Sequence, residues 1–305
     1  MKIIFCLLVI AVCSPEARAC DNLRIQHLNN IDFENDPSPA EHFEVRRSGD
    51  DPCSFFLTVD NGGASSYTGR RLLKTYGQGA FPVQVCRDAS CSSILKHIPE
   101  ATSGSDVLVG SFPRGGSDEI DFVIYPRLGV ADYPPFGRYE DIFTVRLYEG
   151  SITGSRSLED SDNFRLRQEV SKRIDLSVVN SGQPFDPNAT NKSIDFGTLT
   201  TGKQFGFDLV LKYNAGYRVR VSSQNNGKLK HNSLASTIDY TMSVGGSPVS
   251  LGSSSSSPVQ VSQGSGASPT GGMRLQGNFT IGSVASNAQS GSYRDSITIT
   301  VATTE

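Results

Sequence analysis

The 305-residue chain has no tryptophan, three methionines and four histidines, and each shortage removes a class of reading. Lack of tryptophan, with the cysteines placed as they are, argues against an antibody-type sandwich core. The histidines, His27, His42, His97 and His231, are scattered, and no Ser-His-Asp or His-Cys pattern has the local signature of a nucleophile. Beyond the first residues no apolar run approaches the roughly twenty needed to cross a bilayer. Gly62-Gly63 and Gly115-Gly116 do not open helices, which phosphate cradling requires. No catalytic residue, cofactor or metal site is expected, and the chain is read as not an enzyme.

What is present begins with an export signal. Lys2 supplies charge, Ile3 to Val12 an apolar run, and Ala17-Arg18-Ala19 a small-x-small cleavage site, so residues 1–19 read as a signal peptide. A lipoprotein reading of Cys20 fits poorly because Arg18 stands just before the small residue. Removal of residues 1–19 leaves 26 basic against 30 acidic residues, a net charge of −4, and no basic stripe to attract nucleic acid. Four cysteines remain, Cys20, Cys53, Cys86 and Cys91. An even count in an exported chain reads as two disulfides. Cys86 and Cys91 suit a braced hairpin turn, which leaves Cys20 with Cys53. The rival, a metal site, lacks a Cys-x-x-Cys element and a nearby histidine.

An internal repeat organises the rest. Gly137-Arg138-Tyr139-Glu140-Asp141-Ile142-Phe143-Thr144-Val145-Arg146-Leu147 returns 154 residues later as Gly291-Ser292-Tyr293-Arg294-Asp295-Ser296-Ile297-Thr298-Ile299-Thr300-Val301. In the second copy Tyr293, Ile297, Ile299 and Val301 share one face of a period-two strand, and Tyr139, Phe143, Val145 and Leu147 match them in the first. Between the copies run short β-rich stretches, such as Phe55 to Val59, Ile120 to Tyr125 and Phe205 to Leu211, punctuated by Gly, Pro, Asn and Ser. Such spacing argues for antiparallel sandwiches. The expected division is a domain at 20–150, a linker at 151–163 and a second domain at 164–305. Residues 245–272 are mostly Gly, Ser, Pro and Thr and read as a mobile surface loop.

Four stretches carry a family likeness: Ile194-Asp195-Phe196-Gly197-Thr198-Leu199, Asn214-Ala215-Gly216-Tyr217-Arg218-Val219, Ile238-Asp239-Tyr240-Thr241-Met242 and Gly291-Ser292-Tyr293-Arg294-Asp295. Through them residues 170–305 resemble the spore coat protein U family, whose members include subunits of archaic chaperone-usher pili. The first domain resembles it through its closing strand and Phe81-Pro82-Val83-Gln84-Val85. The resemblance implies an all-β fold of two tandem immunoglobulin-like, pilin-type antiparallel β-sandwiches, the second lacking its final strand. After Val301 only Ala302, Thr303, Thr304 and Glu305 follow, so the expected groove edge is Tyr293, Ile297, Ile299 and Val301. The implied partners are a periplasmic chaperone, an outer-membrane usher and an adjacent pilin subunit that lends a strand to the groove. Cys20, tied to Cys53, would leave no free N-terminal strand to donate, as in a two-domain tip adhesin. The implied location is the cell surface, reached through the periplasm, as part of a fimbrium.

For binding to a surface or host receptor, the expected site is the stretch Pro126 to Gly137, placed by strand direction at the end of the first domain far from the linker. Its apolar Leu128, Val130, Tyr133 and Phe136 among three prolines suit an interaction surface, against the plainer reading that they fold back on the core. Two rivals stand beside adhesion. One is a structural spore or cell-envelope coat protein without a receptor; the other is a carbohydrate-binding sandwich using Tyr67, Tyr76 and Tyr133. Asp118, Glu119 and Asp121 read as a solvated strand start, and Asp141 and Asp295 as residues that fix a turn common to both domains.

Overall fold

The computed structural model describes residues 20–304 apart from 35, 37 and 38; the signal sequence read at 1–19 lies outside them. The described residues are almost entirely strand and loop, with two single turns of 3-10 helix at Tyr67–Gly69 and Gly104–Asp106. They form two compact units. The first takes the chain up to Leu72, Pro82–Gly129 and Glu140–Gln168; the second takes Leu73–Phe81, Val130–Tyr139 and the chain from Glu169.

Ten strands come first: β1 (Arg24–Gln26), β2 (Ile31–Asp32), β3 (Glu41–Arg46), β4 (Cys53–Val59), β5 (Arg71–Lys74), β6 (Ala80–Cys86), β7 (Leu108–Phe112), β8 (Glu119–Leu128), β9 (Gly137–Gly150) and β10 (Arg156–Val170). They make one curled sheet in the order β1-β3-β8-β6-β5-β9-β10-β2, with β4 joined to β7 and β9. Phenylalanines from the two layers meet in its core: Phe55 of β4 lies 5.3 Å from Phe112 and 5.9 Å edge-on from Phe122 of β8. Burial of side chains this size stabilises by roughly 1.5–3 kcal/mol each, which is why alternation along these strands sets their facing.

The stretch expected as a linker, 151–163, is a correction. The chain turns at 151–155, where Ser151 N donates to Ser155 O at 3.2 Å, and returns as β10 beside β9. Charge hides this strand in the sequence. Leu158 is 55 % exposed, and only Phe164 and Leu166 of β10 are buried.

Ten strands follow: β11 (Ile174–Asn180), β12 (Gln204–Tyr213), β13 (Gly216–Ser223), β14 (Lys228–His231), β15 (Thr237–Val244), β16 (Ser247–Val249), β17 (Val259–Gly264), β18 (Met273–Ile281), β19 (Tyr293–Arg294) and β20 (Ile297–Thr304). One sheet runs β11-β12-β18-β15-β14-β19 with β16 on β15; the other runs β17-β13-β20. Phe207, Leu209 and Leu211 from the first meet Tyr217, Val219 and Val221 from the second in a shared core.

The Ser-rich stretch at 245–272, expected as a mobile loop, holds β16 and β17. Its Ser254 is fully buried, and the hydroxyl accepts from Ser223 N at 3.0 Å and donates to Leu251 O at 2.9 Å. Backbone pairing to β13 orders this segment, and composition does not report that term.

Candidate functional site

The repeat in the sequence is a repeat in register. Val59 of β4 faces Val145 of β9 and Leu57 faces Leu147; Val221 of β13 faces Ile299 of β20 and Val219 faces Val301. The shared aspartates hold the turns that follow β4 and β13. Asp141 accepts from Gly63 N at 2.9 Å and from Ile142 N at 2.8 Å. Asp295 accepts from Asn225 N at 3.0 Å, Ser296 N at 2.8 Å, and the hydroxyls of Ser223 and Tyr240, both at 2.6 Å. A Cβ at Gly62, where φ is +57°, would stand 2.4 Å from the Asp141 carboxylate, so only glycine lets that turn close. The shared tyrosines donate their hydroxyls four residues back, Tyr139 to Pro135 O at 2.5 Å and Tyr293 to Gln289 O at 2.8 Å. Alternation marks both only as buried strand residues and does not report this second role. Burial first, and then the bond to Asp295, pushes the Tyr240 phenol above its ordinary range.

The expected groove edge keeps its parity along β20 and is corrected in extent. Ile297, Ile299 and Val301 lie on one face of β20 and pack against the core. Tyr293 does not share that strand: β19 pairs with β14, where Tyr293 faces His231 in the other sheet. Asp295 accepts its four bonds where the chain leaves β19 for β20, whereas β9 passes through Asp141 unbroken.

The two copies differ in what lies alongside. Phe143, Val145 and Leu147 of β9 are fully buried, and β10 runs beside them. Their counterparts Ile297, Ile299 and Val301 are only partly buried. Among the described residues β20 pairs with β13 alone, so its other side is a sheet edge. At the edge of the facing sheet, β11 presents Ile174, Leu176 and Val178, also partly buried against the same core. The sequence marks this strand by its alternation, yet nothing local gives it a role. These two partly covered apolar edges, β11 and β20, border the same core and approach each other along it.

The expected receptor loop lies elsewhere than strand direction implied. Because the chain returns through β10, the start of β9 lies beside the end of β10, as the 3.4 Å pair of Arg138 with Glu169 records. Val130–Tyr139 belongs to the second unit. Tyr133 and Phe136 are partly buried, as is Leu128 at the end of β8; Val130 alone is open, 98 % exposed. Burial, then a hydrogen bond to Asp175, pushes the Tyr133 phenol up to about 12.

Cys20 and Cys53 are bonded, as are Cys86 and Cys91. Cys20 N also donates to Glu149 at 2.8 Å, and β1 pairs with β3, so the chain from Cys20 onward is built into the first unit. Asp118 and Glu119 pair with Arg47 and Arg46 at 3.5 and 2.9 Å, and Asp121 faces Glu44 across β3 and β8. The described residues hold no group of three metal-ligating side chains.

No curated protein matches the chain. Among solved structures, a chain of the CsuC–CsuE chaperone–tip adhesion subunit pre-assembly complex, from the archaic chaperone-usher Csu pili of Acinetobacter baumannii, is 14% identical. That alignment covers 92% of this chain and 99% of that one, with a TM-score of 0.45. CfaE, the adhesive subunit of the CFA/I fimbria of enterotoxigenic Escherichia coli, is 12% identical over 82% of each chain, with a TM-score of 0.38. Likeness at this level assigns no role. The family model of the Spore Coat Protein U domain matches residues 24–146, most of which belong to the first unit, although the stretches at 170–305 carry more of the resembling residues. Residues 24–146 of this chain are therefore similar to the Spore Coat Protein U domain.

Proposed function

We propose that this chain is the tip subunit of a chaperone-usher pilus, exported through the periplasm to the cell surface. In this reading the first unit contacts a surface or host receptor, and the second accepts a strand from the adjacent pilin. The observation that carries the proposal is the open side of β20, where Ile297, Ile299 and Val301 stay partly uncovered while the matching residues of β9 are sealed by the chain itself. A periplasmic chaperone would cover that edge until an outer-membrane usher exchanges it for the pilin strand. The tip position is supported by the start of the exported chain. Cys20 is bonded to Cys53 and Leu23 is buried, so these residues are committed to their own unit and are not free to be lent. The protein is then a binding and assembly subunit, not an enzyme.

The test is purification of the full chain from the periplasm with and without its chaperone. Expected is a one-to-one complex with the chaperone, and aggregation without it that added strand peptide relieves. A stable monomer that ignores both chaperone and peptide would overturn the reading and favour a coat protein.

A further inference from the structure

The segment Val130–Tyr139 joins β8 to β9 in the chain but packs as part of the second unit. Two aromatic side chains hold it there. The Tyr133 hydroxyl donates to Asp175, and Arg173 and Lys212 lie 5.1 and 5.4 Å from its ring. Lys212 also pairs with Asp132 at 2.9 Å and faces the Phe185 ring at 5.3 Å. Phe136 sits between Lys74 at 5.0 Å and Lys172 at 5.1 Å, and its backbone N donates to Asn214 O at 2.9 Å. Asn214 is buried and ties the start of β11 down, accepting from Arg173 N at 2.6 Å and donating to Ser171 O at 3.0 Å. Tyr133 has a φ of +49°, a conformation that a bulky residue keeps only where its surroundings impose it.

These contacts converge on one strand. Asp175 stands on β11 between Ile174 and Leu176, two of the three residues that face the core at the open edge. We propose that residues 130–137 are a latch on β11: closed, they hold that edge strand in register against β12 and keep the acceptor edge shaped for a partner strand. Loosened, they let β11 fray. Coupling of this kind is reciprocal, so a strand bound at the edge tightens the latch by the factor by which the latch improves strand binding. This inference rests on the acceptor reading above.

The experiment uses the full chain purified from the periplasm, as Tyr133→Phe, Asp175→Asn and the double variant. Two readouts are taken: hydrogen exchange of the β11 amides, with β13 as the internal control, and capture of a peptide of alternating valine and threonine. Expected is exchange about tenfold faster in β11 and unchanged in β13 for each single variant, with peptide capture weakened by a similar factor. The double variant should be no worse than Asp175→Asn alone, because that change already weakens the Tyr133 bond together with the Arg173 pair at 2.7 Å. Unchanged β11 exchange in both single variants overturns the latch, and so does faster exchange spread evenly over both strands, which marks general loosening. Faster β11 exchange in a chain whose parent captures no peptide leaves the latch standing and removes the acceptor reading instead.

Discussion

The strands β9 and β20 pair with β4 and β13 in the same register and turn the same three positions inward, yet one set is sealed and the other is not. The difference does not lie in those strands. It lies in β10, a further strand that the first unit supplies to itself and for which the described part of the second has no counterpart. A core of this type is thus covered or left partly open by a single neighbour, while the strand beside that neighbour keeps its pattern. The first unit is also covalently stapled, by Cys20–Cys53 and Cys86–Cys91, and the second carries no disulfide among its described residues.

Removing the staple should give the largest effect. Cys20 and Cys53 are 33 residues apart, and closing a loop of that length stabilises by about 4 kcal/mol in the chain-entropy account. Replacing both with serine should lower the urea midpoint of the first unit's transition and leave the second's in place. A shift of both transitions together would show that the two units do not unfold independently, and the comparison would have to be abandoned.

A smaller effect tests the seal directly, at two positions that the repeat makes equivalent. Val145→Ala removes methyl groups from a fully buried site and should cost the first unit about 2 kcal/mol. Ile299→Ala acts at a partly buried site and should cost the second unit about 1 kcal/mol, although more methylenes are lost. If the proposed chaperone caps the open edge, its addition should raise the cost of Ile299→Ala toward that of a buried isoleucine and leave Val145→Ala as it was. Equal costs before capping would mean that Ile299 is already sealed.

Much of this contrast is legible in the amino-acid sequence, and the illegible part has physical causes. Strict alternation in Ile297, Ile299 and Val301 reports one buried face, and the repeated Gly-x-Tyr-x-Asp marks where both closing strands begin. Alternation fails for β10, because only Phe164 and Leu166 point inward there and Glu159, Asp160 and Asp162 give the stretch the look of a linker. That omission displaces the stretch expected to bind a receptor as well: a chain that turns back through β10 ends that strand beside the start of β9, so strand direction alone misplaces Tyr133 and Phe136. The Ser-rich run shows the complementary failure, since backbone pairing of β17 with β13 orders residues whose side chains offer little apolar area. Asp295 is legible as a turn residue, but its four donors come from β13, the turn after it, β15 and the neighbouring backbone, and no local pattern reports such convergence.

The smallest effect separates the units by pH. In the first, burial and then the nearby Arg146 hold His97 below its ordinary value of 6.5. The folded unit therefore resists a proton that the unfolded chain accepts, and its stability falls as pH drops below about 6.5. In the second, burial raises the Tyr240 and Tyr213 phenols above the ordinary value of 10.0, assisted for Tyr240 by its bond to Asp295. There the unfolded chain loses protons that the folded unit keeps, so stability is intact below pH 10 and declines above it. Urea titrations at pH 7 and pH 5 should thus move the first transition by less than about 1 kcal/mol, a small shift because His97 is only partly shielded from solvent, and leave the second unmoved. Raising the pH past 10 should weaken the second unit. His97→Gln should flatten the acid response, and Tyr240→Phe should reduce the alkaline one to the share of Tyr213 and Tyr133; an acid response that survives His97→Gln, or an alkaline one that Tyr240→Phe leaves undiminished, would assign the titration to a different group.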